Sequence, residues 1–166
     1  MISSFHNSQD GMGSTIASTK RLARALMVSA GAFSLILVSC NSAHRQQQVL
    51  NLLTEFSSAQ IQDIVLPPGT ETLYTTISTT VGVAQPEVLM VRGLESVIDI
   101  NELIISTNLM RDEFRKQFHC PLVLWVNDEI LRKLVWLAPD LKDWAASTIR
   151  FDVPNSQTVE QQALSA

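Results

Sequence analysis

Four short apolar runs punctuate this chain: Phe33–Ser39, Ile61–Leu66, Val88–Val91 and Leu122–Val126. Each is rich in Val, Ile and Leu and bounded by Gly, Pro or polar residues, which predicts buried strands. Between the runs, apolar positions recur at three and four. Ile16, Leu22, Leu26 and Met27 predict a helix capped by Ser14 or Thr15 and running to about Ala30, where Gly31 ends it. Val49, Leu50, Leu53 and Phe56 mark a second helix over Gln46–Phe56, with Asn41 or Ser42 as its cap. Leu73, Tyr74 and Ile77 define a third within Thr70–Thr80, weakened by its many threonines. Leu103, Ile104, Thr107, Met110, Phe114 and Phe118 predict one long helix from Ile100 to Phe118, capped by Asp99. Glu129–Leu137 is the next helix, broken at Ala138-Pro139 because the residue before proline avoids the α region, and a short turn follows at Leu141–Ala146. Thr148–Val153 alternates apolar and polar, as an edge strand does.

Five strands alternating with helices predict an α/β fold: three layers, a Rossmann-like or P-loop-like parallel sheet of about five strands with helices on both faces. Residues 14–153 are expected to form the single domain, with 1–13 a flexible N-terminus and 154–166 a flexible tail or truncated linker. At 166 residues the chain is long enough to bury roughly 70% of its unfolded surface. Its 46% hydrophobic and 17% charged residues fit an ordinary globular core. The net charge of −4 leaves Lys20, Arg21 and Arg24 as a small basic cluster, from which no nucleic-acid partner is expected. Two cysteines, Cys40 and Cys120, are too few for a disulfide scaffold.

One stretch invites another reading. Lys20–Arg24 precedes the apolar Ala25–Val38, and Leu37-Val-Ser-Cys40 fits the pattern at which bacterial lipoprotein signals are cut and the cysteine is lipidated. Against it stands the strand itself. A cut before Cys40 removes Phe33–Ser39, and a parallel sheet stripped of an interior strand exposes two unpaired edges. A cytoplasmic protein is therefore expected, with a membrane-anchored lipoprotein through Cys40 as the alternative.

Several blocks carry a resemblance. Met90-Val-Arg-Gly-Leu-Glu-Ser-Val97, Ser106-Thr-Asn-Leu-Met-Arg-Asp-Glu-Phe-Arg-Lys116, Pro121-Leu-Val-Leu-Trp-Val-Asn-Asp128 and Leu137-Ala-Pro-Asp140 stand in order. Together they resemble an N-terminal ATPase-like module of large multidomain bacterial proteins, notably cyanobacterial ones with tetratricopeptide or WD40 repeats. The similarity runs from about Leu22 to Val153. It implies a degenerate P-loop or AAA-type core that signals rather than turns over, with other proteins or appended repeat domains as partners. It also places a phosphate-cradling loop after the first strand, a magnesium-associated carboxylate at Glu95 and a polar sensor at Asn127 and Asp128.

The stretch after the first strand reads Cys40-Asn-Ser-Ala-His-Arg45, without the glycines whose amides wrap phosphates or the Gly-Lys-Ser/Thr that neutralises them. Hydrolysis is not expected, and no catalytic residue is assigned. Ligands of such sheets sit at the carboxyl ends of the strands, which makes Asn41, Ser42, Glu95, Asn127 and Asp128 the ligand-binding candidates. Glu95 with Asp128 would suit magnesium beside ATP or GTP, although helix capping explains Asn127 and Asp128 equally simply. Asn108, Arg111 and Asp112 share one helical turn and are candidates for protein interaction, Arg111 through its rigid fork. Cys40 with His44 lacks a third orienting group, and His119-Cys120 lacks partners at metal-ligand spacing. The functional expectation is a non-catalytic or weakly nucleotide-binding module acting in protein interaction or regulation. The alternative is an NTP-binding enzyme with an atypical phosphate site.

Overall fold

The computed structural model describes the backbone of residues 2–151 and the side chains of residues 12–151. Helix α1 (Ile2–Val28) leads into β1 (Ser34–Ser39), α2 (Ala43–Phe56) and β2 (Ile61–Val65). Then come α3 (Leu73–Val81), β3 (Val88–Arg92) and a 3-10 turn at Leu94–Ser96. Helices α4 (Ile100–Leu109) and α5 (Arg111–Gln117) precede β4 (Pro121–Val126), and α6 (Asp128–Leu137) and α7 (Pro139–Asp143) precede β5 (Thr148–Arg150). The fold is the expected α/β one: a five-stranded sheet in the order β2-β3-β4-β1-β5, with every pair parallel.

The strand order sorts the helices. From β1 the chain travels to β2 past β4 and β3, whereas the later crossovers all step the opposite way. If every crossover is right-handed, α2 must cover one face and α3 to α7 the other. The buried side chains divide accordingly. Leu35, Leu37, Leu122, Leu124 and Val126 pack with α3 to α7, while Ile36, Val38, Val123 and Trp125 pack with α1 and α2. The period-2 alternation of each strand thus feeds two separate cores. The five-helix core includes a cluster in which Tyr74 and Phe118 flank Phe114 at 5.3 and 6.0 Å. On the two-helix side Trp125 stacks on Phe151 at 5.8 Å.

Strand β1 lies inside the sheet, paired with β4 along Ser34–Ser39 and with β5 along Leu37–Ser39. Cleavage before Cys40 would delete this strand and part the sheet in two. Among the described residues no helix is long and apolar enough to cross a membrane.

Three elements depart from expectation. Helix α1 begins at Ile2, so Ser14 and Thr15 are not caps. Thr15 lies buried inside the helix, where its carbonyl accepts the Thr19 hydroxyl at 2.7 Å. The single helix over Ile100–Phe118 is broken at Met110, whose φ of −97° and ψ of 11° leave the α region. There Arg111 donates to the Asn108 carbonyl at 2.7 Å, taking an acceptor that a continuous helix would reserve for its own amides. The edge strand is shorter than Thr148–Val153; its residues Asp152 and Val153, like the expected tail 154–166, lie outside the described residues.

Candidate functional site

All five strands end on the same side of the sheet, and the two cores press their loops together there. Between β1 and α2 the connection is only Cys40-Asn41-Ser42. The Cys40 thiol donates to the Ser42 carbonyl at 3.3 Å. Ser42 is extended at φ −113°, ψ 121°, and its hydroxyl accepts the Arg45 amide at 3.2 Å, capping α2. Asn41 reaches across to the next loop. Its Nδ2 donates to the Asp128 carboxylate at 3.1 Å, and its Oδ1 accepts the Asp128 amide at 3.0 Å. Asn127 caps α6 by accepting the Ile130 amide at 2.8 Å.

Four of the five ligand candidates are therefore occupied in closing loops and starting helices. Glu95, exposed like Asn41, Ser42 and Asp128, stands on the 3-10 turn after β3 and caps no helix. With Cys40, Asn41, Ser42, Gln46 and Asn127 it lines a shallow depression of about 240 Å³. Asp128 does not line it; its carboxylate faces Asn41 and lies 3.9 Å from the Arg150 guanidinium. The two carboxylates expected to share a magnesium ion thus face different neighbours. Among the described residues no group of three His, Cys, Asp or Glu side chains is placed to hold a metal.

A phosphate cradle needs consecutive amides turned inward, usually over glycines with positive φ. Among the described residues positive φ occurs at Gly31, Gly82 and Gly93, none of them in the β1–α2 connection. The cation nearest that connection in sequence, Arg45, donates from Nη1 to the Phe151 carbonyl at 3.1 Å and so fastens β5 to α2.

Farther along the sheet, Arg92 grips Asp63 with two bonds of 2.9 and 2.7 Å, joining the end of β3 to the middle of β2. The hydrogen bond to Asp63 holds the guanidinium still more firmly protonated than usual against the opposing effect of partial burial, and the charges of Asp63 and Glu95 add to it.

The three interaction candidates lie on the five-helix face. Asn108 accepts the Leu141 amide at 2.9 Å, and Arg111 lies 3.8 Å from Asp140. Both tie the α4–α5 junction to α7, while Asp112 is exposed beside them. Sequence spacing put these three on one turn, but the contact with α7 comes from residues 33 positions away.

No protein-family model matches this chain, and no curated protein matches it significantly. Among solved structures it is similar to the Orc1 protein of Aeropyrum pernix in complex with DNA, at 17% identity and a TM-score of 0.43. The likeness covers 90% of this chain and 49% of that one, so this chain spans about half the archaeal protein's length. The expectation that nucleic acid is no partner is withdrawn as a correction: the protein of that structure is in complex with DNA, which is a property of that protein. The physical reason is that the small size of the cluster Lys20, Arg21 and Arg24 in a chain of net charge −4 lowers the electrostatic attraction to phosphates but does not exclude it. The likeness is one of α/β fold alone.

Proposed function

We propose that this chain is an ATPase-like module that works by protein contact or regulation rather than by turnover. In this reading it is non-catalytic or weakly nucleotide-binding, cytoplasmic, and the N-terminal part of a larger repeat-containing protein. The observation that carries the first part is the three-residue connection after β1. The side chains of Asn41 and Ser42 are spent on Asp128 and on the Arg45 amide, and the connection holds no glycine with positive φ and no lysine with which to meet a triphosphate. The resemblance to modules that precede tetratricopeptide or WD40 repeats supports the second part.

Isothermal titration with ATP and with GTP, each with magnesium, tests the reading. The expected outcome is binding no tighter than about 1 mM, where the free energy of association is only about 4 kcal/mol. Micromolar binding abolished by Glu95→Ala would instead establish the atypical NTP site, because Glu95 is the one carboxylate among the described residues lining the depression.

A further inference from the structure

The larger cavity lies at the opposite end of the sheet. About 660 Å³ opens between the last turns of α1 and α2 and the starts of β2 and β3, which is ample for a small organic ligand. Its inner wall is apolar, formed by Ala23, Leu26, Phe56, Ala59 and Val88. At its mouth stand Lys20 and Arg24, four residues and one helical turn apart on α1, and His119 from the start of β4. The Lys20 ammonium is held over the Phe56 ring, 5.5 Å from its centroid. Glu87 is the one carboxylate among the described lining residues, and it already accepts the Gln60 amide at 2.9 Å.

We propose that this amino-end cavity binds a small amphipathic anion, with an apolar body against Phe56, Leu26 and Val88 and a single acidic head at Lys20 and Arg24. Each half of that ligand answers a feature of the cavity. The apolar wall rewards a hydrocarbon body, since little in it accepts or donates hydrogen bonds. Two cations at one rim favour an anionic head over a neutral one, and their exposed ammonium and guanidinium keep contact with water until the ligand arrives. The site shares no residue with the depression at Glu95, so it stands or falls independently of the nucleotide reading.

Titration calorimetry on the full chain with 1-naphthoate and with octanoate tests the proposal, with 1-naphthylmethanol as the neutral control. At least one acid is expected to bind with a dissociation constant on the order of 100 µM, in keeping with about a dozen ligand atoms. Which acid binds better distinguishes a flat body from a chain. The alcohol should bind about tenfold more weakly, and Lys20→Gln with Arg24→Gln should weaken the acid by about the same factor. Both residues are exposed, so this variant should lose at most a few degrees of melting temperature, the share of the Lys20–Phe56 contact. Ala59→Trp, which fills the cavity, should abolish binding; should it fail to fold, the surface pair still decides. Amide shifts on adding the acid should cluster at Gly31, Ser58 and Val88. The proposal is overturned if neither acid binds below millimolar concentrations, if alcohol and acid bind alike, if the double variant binds as wild type does, or if the shifts fall around Asn41 and Glu95 instead.

Discussion

The two faces of the sheet are built to different standards. Among the described residues, 24 buried apolar side chains beneath α3 to α7 form one core, and a void lined by Leu73, Leu103, Leu134 and their neighbours holds only about 10 Å³. Beneath α1 and α2 the described residues give a buried cluster of half as many members, and the cavity of about 660 Å³ opens on that side. Two buried polar atoms with no partner among the described residues, Ser34 Oγ and Trp125 Nε1, also belong there, since Ser34 shares the pleat of Ile36 and Val38. Close packing and full hydrogen bonding usually go together in a folded core. Among the described residues both are relaxed on one face, the face that carries the proposed anion cavity.

A matched pair of truncations breaks this comparison most directly. Leu103 and Leu26 are equally hidden, at 1% and 3% exposure, one on each face. Leu103→Ala should cost about 4 kcal/mol, because its neighbours form a tight wall that cannot collapse. Leu26 already borders open space and has fewer atoms to lose, so Leu26→Ala should cost about 2 kcal/mol. Urea unfolding of the two variants measures both. Equal costs would mean that the cavity is no looser than the core opposite.

Two glycines repeat the contrast in the backbone. Gly93 and Gly31 both hold left-handed conformations, at φ +87° and +81°. A Cβ on Gly93 would lie 3.2 Å from the Leu66 amide nitrogen and carbonyl oxygen, whereas one on Gly31 would meet nothing within 4 Å. Gly31→Ala should therefore cost only the left-handed strain, about 1 kcal/mol, and Gly93→Ala about 3 kcal/mol once the backbone clash is added. Thermal melts of the two variants sharpen the comparison, and a larger loss at Gly31 would reverse it.

The sequence made the layers legible but not their unequal packing. Interior strands such as Leu122–Val126 are buried on both faces, so they read as unbroken apolar runs and are easily found. Strand order follows from the direction of each crossover, which no local pattern encodes. The break at Met110 was hidden because apolar spacing continues through Phe114; a side-chain bond from Arg111 decides it. At the candidate site, Asn41, Ser42, Glu95 and Asn127 line one depression, a placement that can be read from the strand ends alone. The bond from Asn41 to Asp128 spans 87 positions and depends on β1 lying beside β4. The amino-end cavity escaped notice for a similar reason: Phe56, Val88 and His119 meet only after three crossovers, and the sole hint was the cluster Lys20, Arg21 and Arg24.

Trp125 gives a smaller test of the relaxed face. It is 2% exposed and stacks on Phe151, yet its indole N–H has no partner among the described residues. Trp125→Phe removes packing area and the unpaired donor together, and the two effects oppose each other. A net loss of about 1 kcal/mol or less is expected by urea unfolding, whereas a fully bonded buried tryptophan would lose several times that. A loss above about 3 kcal/mol would show that the face is as well satisfied as its counterpart.

The two thiols supply the finest probe, because one belongs to each face. Cys120 is buried in the five-helix core, whereas Cys40 is half-buried and packs against the two-helix one. Burial raises the Cys120 thiol above its ordinary value of 9.0, with the Leu89 backbone opposing more weakly. The folded chain then holds a proton that the unfolded chain releases, so this contribution is complete below the ordinary value and is lost as pH rises through the folded one. Between those two values the wild type should lose stability faster than Cys120→Ala, by at most about 1.4 kcal/mol per pH unit. At pH 8 a disulfide reagent should modify Cys40 readily and reach Cys120 only as the chain opens, because thiolate and access are both withheld there. If both thiols react together in the folded protein, the five-helix core opens as freely as the face with the cavity, and the contrast between them is one of static volume alone.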